Sequence, residues 1–290
     1  MNSALLTRLD LLGALLISGT DARNFLQGQL TADLDTLTQH NVALAACNSP
    51  QGRVQAVVWM LERSDGIALL CQRSLLEQIA ARLRRYVLRS KATISTDVLD
   101  VGVAGRTVPD LREAPAHVQT GMHSYVRLPG VEDSLVIAPA ADLHEVSESA
   151  SIQFHRNYLR AGLPQIYPQT HEQFVAQMLN LDLLSGISFT KGCYTGQEII
   201  ARTHYRGAIK RRMFRYSALC APPAPGTRIL EGDQHAGDVV DAIGTEEGCE
   251  LLAVMQLSKK DAEVHLEGGS GATLERLDLP YAVESDGVTG

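Results

Sequence analysis

The stretch from Phe189 to Gly207 (FTKGCYTGQEIIARTHYRG) brings together a thiol, closely spaced glycines, one carboxylate and several cations. Gly192 and Gly196 flank Cys193, and glycine can take positive φ, so a tight turn is predicted here. Gln197 to Tyr205 has apolar residues at helical spacing and an acid in its first turn, which predicts a short helix. This stretch is the first place to look for chemistry.

Cys193 is the residue of this stretch best suited to covalent or ligand chemistry. A thiol at the start of a helix, with Lys191 two residues before it, is in a setting that favours the thiolate. Backbone N–H groups of the turn are expected to point toward the same anion. We therefore predict a reactive or ligating Cys193 assisted by Lys191. The alternative reading, a small buried hydrophobic residue, stays open because most unpaired cysteines are of that kind.

The elements that position the motif follow an alternating pattern of strands and helices. Before residue 100, Asp21 is a predicted N-cap for one helix, and Ser74 to Glu77 has capping-box spacing that opens another through Leu88. Two strands meet at the turn-forming residues 48–52. A similar pattern restarts at Val101, which predicts two related units, each a mixed sheet covered by helices.

The pattern of residue types changes after Gly207. A proline-rich break at Ala221 to Gly226 is followed by short strand-like runs separated by glycine-rich and acidic turns, a pattern typical of a small antiparallel barrel. The predicted fold class is therefore α+β, with domains at residues 1–100, 101–207 and 208–290.

Five cysteines are spread along the 290 residues without a Cys-x-x-Cys pair. This spacing argues against a disulfide framework, a zinc site or an iron-sulfur cluster held by this chain alone, so no tightly bound metal is expected. No apolar run is long enough to span a bilayer, and the first residues lack a signal-peptide pattern. We expect a cytoplasmic protein without membrane contact.

Charge is distributed unevenly. Phe189 to Arg215 contains seven Lys or Arg against one acid, a balance of +6, so a net charge of −7 leaves −13 for the rest. A basic strip on an acidic protein points to an anionic partner, either RNA phosphates or a small molecule with several carboxylates. The alternative is that these arginines line a solvated strand face and pair with acids of the C-terminal third.

Several short motifs of the chain together form a recognisable family pattern. The central motif is Lys191–Glu198 (KGCYTGQE). The others are Ala201–Gly207 (ARTHYRG), Lys210–Arg212 (KRR), Phe25–Asp33 (FLQGQLTAD), Pro50–Arg53 (PQGR), Ala161–Pro164 (AGLP) and Asn180–Asp182 (NLD). This set resembles the YgfZ-type folate-binding proteins, which are relatives of the glycine-cleavage T-protein and of mitochondrial iron-sulfur assembly factors. The resemblance spans nearly the whole chain.

The resemblance implies two related α+β domains and a C-terminal barrel, arranged as a ring around a folate pocket. It implies tetrahydrofolate as ligand, in a polyglutamylated or one-carbon form, and a role with iron-sulfur proteins or assembly factors that indirectly supports tRNA modification. By the same resemblance the catalytic residues are Cys193 and Lys191. The folate-binding residues are Leu12, Phe154, Gln29, Asn180, Tyr194, Gln197, Glu198, Arg202 and Arg206.

Two departures from the family pattern bear on activity. The T-protein uses an acid in the hairpin to position folate chemistry, and the nearest positions here are Ala56 and Val57, so aminomethyl transfer loses its acid/base group. At the aromatic positions that enclose folate in relatives, Phe154 keeps a stacking face and Leu12 does not.

Three functions remain after these observations. The first is a tetrahydrofolate-dependent accessory protein for iron-sulfur cluster assembly, in which the Cys193 thiolate attacks a sulfur electrophile or serves as a transient cluster ligand. The second is a folate enzyme of aminomethyltransferase type, and whether the chain is an enzyme stays open. The third is an RNA-binding module that uses Arg202 to Arg215, with direct contact to tRNA.

Overall fold

The structure is a computed structural model that describes residues 6–104, 116–143, 146–268 and 272–283. Its strands form three sheets of five, five and six strands, and every strand pair within these ranges is antiparallel. The α+β class is therefore confirmed, while the prediction of mixed sheets was wrong. Hairpin connections account for the antiparallel pairing of strands that follow one another in the chain, such as β3 with β4 and β4 with β5.

The first sheet has the order β3-β4-β5-β2-β6. Its strands are β2 (Leu12–Ser18), β3 (Val42–Asn48), β4 (Val54–Arg63), β5 (Gly66–Gln72) and β6 (Thr93–Ser95). Two helices accompany it, α1 (Ala22–Gln27) and α2 (Leu76–Val87). Most residues of β2, β4 and β5 are buried on both faces, which agrees with their nearly continuous apolar sequences.

Two predicted helix caps are not formed as expected. The Asp21 carboxylate makes no cap hydrogen bond and instead accepts one from the Lys91 backbone N–H at 2.7 Å. Ser74 does not cap α2, because its backbone N–H and hydroxyl both donate to the Gln72 side chain. In both places a tertiary or neighbouring partner competes successfully with the helix end for the polar side chain.

The second sheet has the order β1-β7-β10-β9-β8. Its strands are β1 (Thr7–Arg8), β7 (Leu99–Ala104), β8 (His117–Thr120), β9 (His123–Arg127) and β10 (Ser134–Pro139), and α3 (Glu148–Arg160) follows them. Because β1 pairs with β7, this sheet takes in residues on both sides of the boundary predicted at residue 100.

The third sheet follows α4 (Gln197–Arg206). Its strands are β11 (Arg211–Ala218), β12 (Arg228–Glu231), β13 (Gln234–Gly244), β14 (Cys249–Gln256), β15 (His265–Leu266) and β16 (Glu275–Leu277). The hydrogen-bonded order runs β15-β12-β13-β14-β11-β16, so within the described part of the chain it is a curled six-stranded sheet. Closure into a barrel and the ring arrangement of the three units stay predictions.

One apolar cluster connects the three sheets. It contains side chains of β2, β4 and β5, of β7 and α3, and also Met213 and Val254 of the third sheet. A buried hydrogen bond from Trp59 Nε1 to Tyr158 Oη, 3.0 Å long, joins β4 to α3. Val240 and Leu252 of the third sheet also belong to this apolar cluster, and a second set of buried third-sheet residues forms a separate cluster. No described helix is both long and apolar enough to cross a bilayer.

Candidate functional site

Cys193 is exposed on the turn that precedes α4, and it is the one cysteine of the five classed as exposed. Cys47, Cys71 and Cys249 are buried, and Cys220 is intermediate. Burial raises the pKa of the Cys71 thiol to about 12, so that thiol stays protonated. The interpretation of Cys193 as a buried hydrophobic residue was therefore wrong, and its sulfur is open to a partner.

Gly196 lets the turn press against the hairpin loop at residues 48–52. Its φ is +82°, and a Cβ built there would lie 2.8 Å from Ser49 O. Gly52, in the loop, has φ +71°, and its Cβ would lie 2.8 Å from Ile199 Cβ. Because Gly196 and Gly52 have no side chains, the turn and the hairpin loop can approach each other closely. Gly192 has no positive φ, contrary to the prediction, and a Cβ added there would meet no described atom within 4 Å.

Lys191 anchors the start of the turn. Its side chain is buried, and Nζ donates to Leu30 O at 2.8 Å, Ala32 O at 2.7 Å and Gln27 Oε1 at 3.2 Å. Burial lowers the pKa of Lys191 to about 8, although the charges of Asp33 and Asp35 oppose that shift. Three acceptors match the three donors of an ammonium group. The ammonium group of Lys191 therefore binds residues 27–32 and stabilises the turn.

The other side of the turn is tied to the same segment. Thr195 N–H donates to Gly28 O at 3.1 Å, and Gln197 N–H donates to Tyr194 O at 3.1 Å. Tyr194 is buried, and its ring lies 5.0 Å from Lys191 Nζ. These N–H groups have acceptors within the protein, so the predicted cluster of free donors around the thiol is not formed by them. The turn is instead held firmly on both sides of Cys193.

Asn48 is a feature that the sequence reasoning missed. It is fully buried at the end of β3, beside Gly196, and neither its Oδ1 nor its Nδ2 has a hydrogen-bond partner among the described residues. Buried Arg82 lies nearby and donates to Asn48 O at 2.7 Å and to Gln29 Oε1 at 3.1 Å. An unpaired buried amide is costly, so it indicates a missing partner. The adjacent PQGR motif was the signal that could have directed attention to it.

The outward side of α4 is polar and aromatic. Glu198, Arg202 and Arg206 are exposed. The Phe189 ring stacks on the His204 ring at 3.8 Å, and Tyr205 lies edge-on to His204 at 4.7 Å. Tyr205 is 66% exposed, so this aromatic group is accessible from solvent.

The basic strip divides into two parts. Arg212 makes a two-pronged ion pair with Asp182 at 2.6 and 2.9 Å, Arg215 pairs with Glu250 at 3.1 Å, and Arg211 lies 3.6 Å from Asp238. For Arg211 and Arg215, whose acids lie in the C-terminal third, the alternative of internal pairing is correct, whereas the buried Arg212 pairs with an acid of an earlier segment. Arg202, Arg206 and Lys210 are exposed and form no ion pair with any residue that the structure describes.

Three predicted folate residues are fully buried. Leu12 and Phe154 are both 0% exposed and belong to the main apolar cluster, so neither offers an accessible surface in this structure. Asn180 is also fully buried, and its Nδ2 donates to Met213 O at 2.8 Å. It has φ +58° and links residues 176–180 to β11. The site that the structure brings together thus contains Lys191, Cys193, Tyr194, Gln197, Glu198 and, through Arg82, Gln29.

A cavity of about 1120 Å³ lies between α3 and the third sheet, away from this site. None of the predicted site residues lines it. Ala56 and Val57 are buried in β4, at 1% and 2% exposure. Among the described residues, no group of three or more His, Cys, Asp or Glu side chains could hold a metal ion.

Three antiparallel sheets with a fixed turn before α4 define an aminomethyltransferase-like fold. The structure is similar to glycine cleavage system aminomethyltransferase T from Bartonella henselae, with a TM-score of 0.70, over 94% of this chain and 84% of that one. Sequence identity is 12%, so this likeness shows the fold alone.

Sequence comparison gives the family. The chain is 31% identical over 294 residues to tRNA-modifying protein YgfZ of Sodalis glossinidius, and 32% identical over 297 residues to that of an Enterobacter species. Each alignment covers 92% of this chain and 90% of the relative. No protein-family model matches the chain. The chain belongs to the YgfZ family of tRNA-modifying proteins, which confirms the resemblance seen in its motifs.

Proposed function

We propose that this chain binds tetrahydrofolate and acts as an accessory protein in iron-sulfur cluster assembly or repair, through which it supports tRNA modification. The observation that carries the proposal is an exposed Cys193 on a turn fixed at both ends. The name of its relatives supports the link to tRNA, and the fold shared with a folate-using class of enzyme supports the ligand.

The thiol of Cys193 has two roles open to it. As a thiolate it can attack a sulfur electrophile, or it can be one transient ligand to a cluster brought by an iron-sulfur partner. Either role needs an accessible sulfur on a backbone that does not move away. Lys191 serves both by positioning the turn, since its three donors are taken by Gln27, Leu30 and Ala32.

The proposed folate contact is the orphaned amide of Asn48, which is 0% exposed in this structure, so binding has to uncover it. A pterin edge carries both donors and acceptors, which is what the unpaired Oδ1 and Nδ2 of Asn48 require. Gln29, Tyr194 and Gln197 adjoin this place, and Glu198 lies on its exposed side. Arg202 and Arg206 would face the carboxylates of a glutamate tail. When bound, the folate supplies a carrier for one-carbon groups.

Aminomethyl transfer is the weaker enzymatic alternative. Ala56 and Val57, the positions expected to match the T-protein acid, are apolar and buried, so no acid stands there to move a proton at the folate. Incubating the purified chain with tetrahydrofolate and an aminomethyl donor tests it. Transfer of the one-carbon group would establish an enzyme and displace the accessory role.

Replacing the thiol tests the proposed chemistry. Cys193→Ala and Cys193→Ser are expected to fail to restore iron-sulfur enzyme activity in a bacterium that lacks its own family member. Thr190→Ala, an exposed change three residues away, is the matched control and should restore it. Full activity from both cysteine variants would remove the sulfur from the mechanism, and unchanged urea unfolding of each variant excludes misfolding.

Replacing Asn48 tests the ligand. Asn48→Leu removes an unpaired buried amide, so we expect the free energy of unfolding to stay constant or rise. The affinity for tetrahydrofolate, measured by calorimetry, should fall about tenfold or more because a bound partner loses its hydrogen bonds. Loss of stability with unchanged affinity would show that the amide serves the fold alone.

A second function, direct RNA binding, is favoured by the surface of α4 formed by Phe189, Arg202, His204, Tyr205 and Arg206. Exposed rings beside unpaired cations suit single-stranded RNA, because bases stack on rings and phosphates attract cations. Two other aromatic residues of the strip, Phe214 and Tyr216, are buried and take no part.

Labelled single-stranded RNA provides the test. Binding should weaken steeply with salt, and Arg206→Gln should reduce the slope by about one phosphate contact. Tyr205→Ala should weaken binding at every salt concentration. Arg228→Gln is the matched control, since Arg228 is paired with Glu267 in the third sheet. RNA binding that changes neither with salt concentration nor in the Arg206→Gln and Tyr205→Ala variants would exclude this function.

A further inference from the structure

Two cysteines outside the motif lie side by side at one end of the third sheet. The Sγ atoms of Cys220 and Cys249 are 3.9 Å apart. Cys249 is the first residue of β14, is 1% exposed, and pairs with Ala218, the last residue of β11. Cys220 follows two residues later and is partly exposed. Neither sulfur has a role in the proposed function.

The placement of these sulfurs is close to that of a disulfide. A disulfide bond is about 2.0 Å long, so the two atoms need to approach by about 2 Å. Cys220 lies beyond the end of β11, where no ladder hydrogen bond fixes it, and its side chain can rotate toward Cys249. We propose that Cys220 and Cys249 form a reversible dithiol–disulfide centre that exchanges with low-molecular-weight disulfides.

The two cysteines differ in exposure. A cavity of about 460 Å³ opens at Cys220, lined also by Pro223, Thr227 and Leu266. Cys249 is shielded, and burial together with the neighbouring Cys220 raises the pKa of its thiol to about 12. Cys220 is therefore the attacking thiol and Cys249 the resolving one.

Formation of the bond takes two exchange steps. The Cys220 thiol loses its proton and attacks one sulfur of the small disulfide, which breaks the S–S bond and releases one thiol carrying that proton. Cys249 then loses its proton and attacks Cys220 Sγ, and the second small thiol leaves with that proton. The two cysteines are oxidised by two electrons, and the small disulfide is reduced to two thiols.

The bond would act on a junction between α3 and the third sheet. Glu250, next to Cys249, accepts from Arg160 of α3 and from Arg215 of β11. Cys249 and Glu250 line the cavity of about 1120 Å³ together with Arg160 and Arg215. Closing the disulfide fixes the wall of this cavity, and opening it frees that wall.

The test uses the full chain with Cys193→Ser, which removes the exposed competing thiol. After incubation with glutathione disulfide and alkylation of free thiols, peptide mapping without reductant should find Cys220 linked to Cys249. Dithiothreitol should release the link. With Cys249→Ala added, the glutathione mixed disulfide should accumulate on Cys220, whereas with both cysteines present it should be transient.

Two results would overturn the proposal. One is glutathione remaining on Cys220 while Cys249 stays alkylatable, which would show that the second step does not occur. The other is no modification of either sulfur at an excess of glutathione disulfide. The mapping of the chain with both cysteines decides the matter even if Cys249→Ala does not fold, and Cys249→Val provides a second buried replacement.

Discussion

Lys191 shows how one residue of a motif can serve the backbone rather than the reaction. The sequence places it two residues before Cys193, which suggests direct help to the thiolate. The structure gives its ammonium three acceptors in residues 27–32. A buried cation needs such a full set of hydrogen-bond partners. Lys191 and the FLQGQLTAD segment therefore hold the turn in place together.

Lys191→Met should lower the free energy of unfolding by about 1–3 kcal/mol, because Leu30 O and Ala32 O lose a buried donor. Urea unfolding followed by circular dichroism measures the change. Lys210→Met, at an exposed position just after α4, should stay within about 0.5 kcal/mol. Equal effects of the two substitutions would contradict the anchoring role of Lys191.

At the scale of elements, the contact between the hairpin loop at 48–52 and the start of α4 decides the shape of the site. Gly196 takes φ +82°, and its missing side chain leaves room for Ser49 O. Gly192 has no positive φ, and no described atom lies within 4 Å of a Cβ added there. The two glycines of one short motif therefore offer a matched pair of substitutions.

Gly196→Ala should destabilise the protein by about 1–3 kcal/mol, because a Cβ at positive φ is strained and would also meet Ser49 O. Gly192→Ala should be nearly neutral. Thermal unfolding compares them, and reaction of Cys193 with a thiol reagent reports the turn. A rise in that rate for Gly196→Ala alone is expected, since the turn loses its support. A neutral Gly196→Ala would contradict the close approach.

His117, the first residue of β8, gives the second sheet a dependence on pH. It is fully buried, and burial, with the charges of Arg63 and His40, lowers its pKa to about 4. Backbone bonding near Gln39 and the charge of Glu62 oppose this shift. The unfolded chain thus binds a proton between pH 6.5 and 4 that the folded chain does not.

The free energy of unfolding should accordingly fall as pH drops from about 6.5 toward about 4. In His117→Gln, part of this decrease with falling pH should be absent. Urea midpoints measured across that window give the comparison. The two proteins should converge in slope above about pH 6.5, where histidine is neutral in both states. Parallel curves through the acid range would show that His117 titrates normally in the folded chain.

The sequence predicted what depends on local pattern and missed what depends on contact. Turn-forming residues indicated where β3 and β4 meet, and helical spacing indicated α4, because these patterns follow from local turn chemistry and from which faces are buried. The PQGR and KGCYTGQE motifs marked both sides of the site. The orphaned Asn48 and the acceptors of Lys191 could not be predicted, since each depends on segments distant in the sequence, such as Leu30 and Lys191.

At the scale of the whole molecule, ion pairs and hydrogen bonds join α3 and the third sheet. His155 Nε2 lies 2.8 Å from Asp241 Oδ2, and Tyr167 Oη donates to Asp241 Oδ1 at 2.8 Å. Arg160 and Arg215 share Glu250 nearby. Because the histidine is charged only when protonated, one of these links depends on pH.

The sign of that dependence is opposite to the sign for His117. Burial works to lower the pKa of His155, but the charge of Asp241 and its hydrogen bond outweigh burial, so the net shift is upward. A raised folded pKa gives stability that is fully present below the unfolded value of about 6.5 and is lost as pH rises through the folded value. Of the two histidines, His117 thus limits stability on the acid side and His155 on the alkaline side.

His155→Gln should remove the alkaline part of this dependence. Relative to this variant, the unmodified chain should have its full advantage in stability below the unfolded value of about 6.5 and should lose it as pH rises through the raised folded pKa of His155. Glutamine keeps a donor for Asp241, so the comparison isolates the charge. Urea unfolding at several pH values measures it. A constant difference across the range would mean that the His155–Asp241 pair does not titrate there, and that α3 and the third sheet stay joined independently of pH.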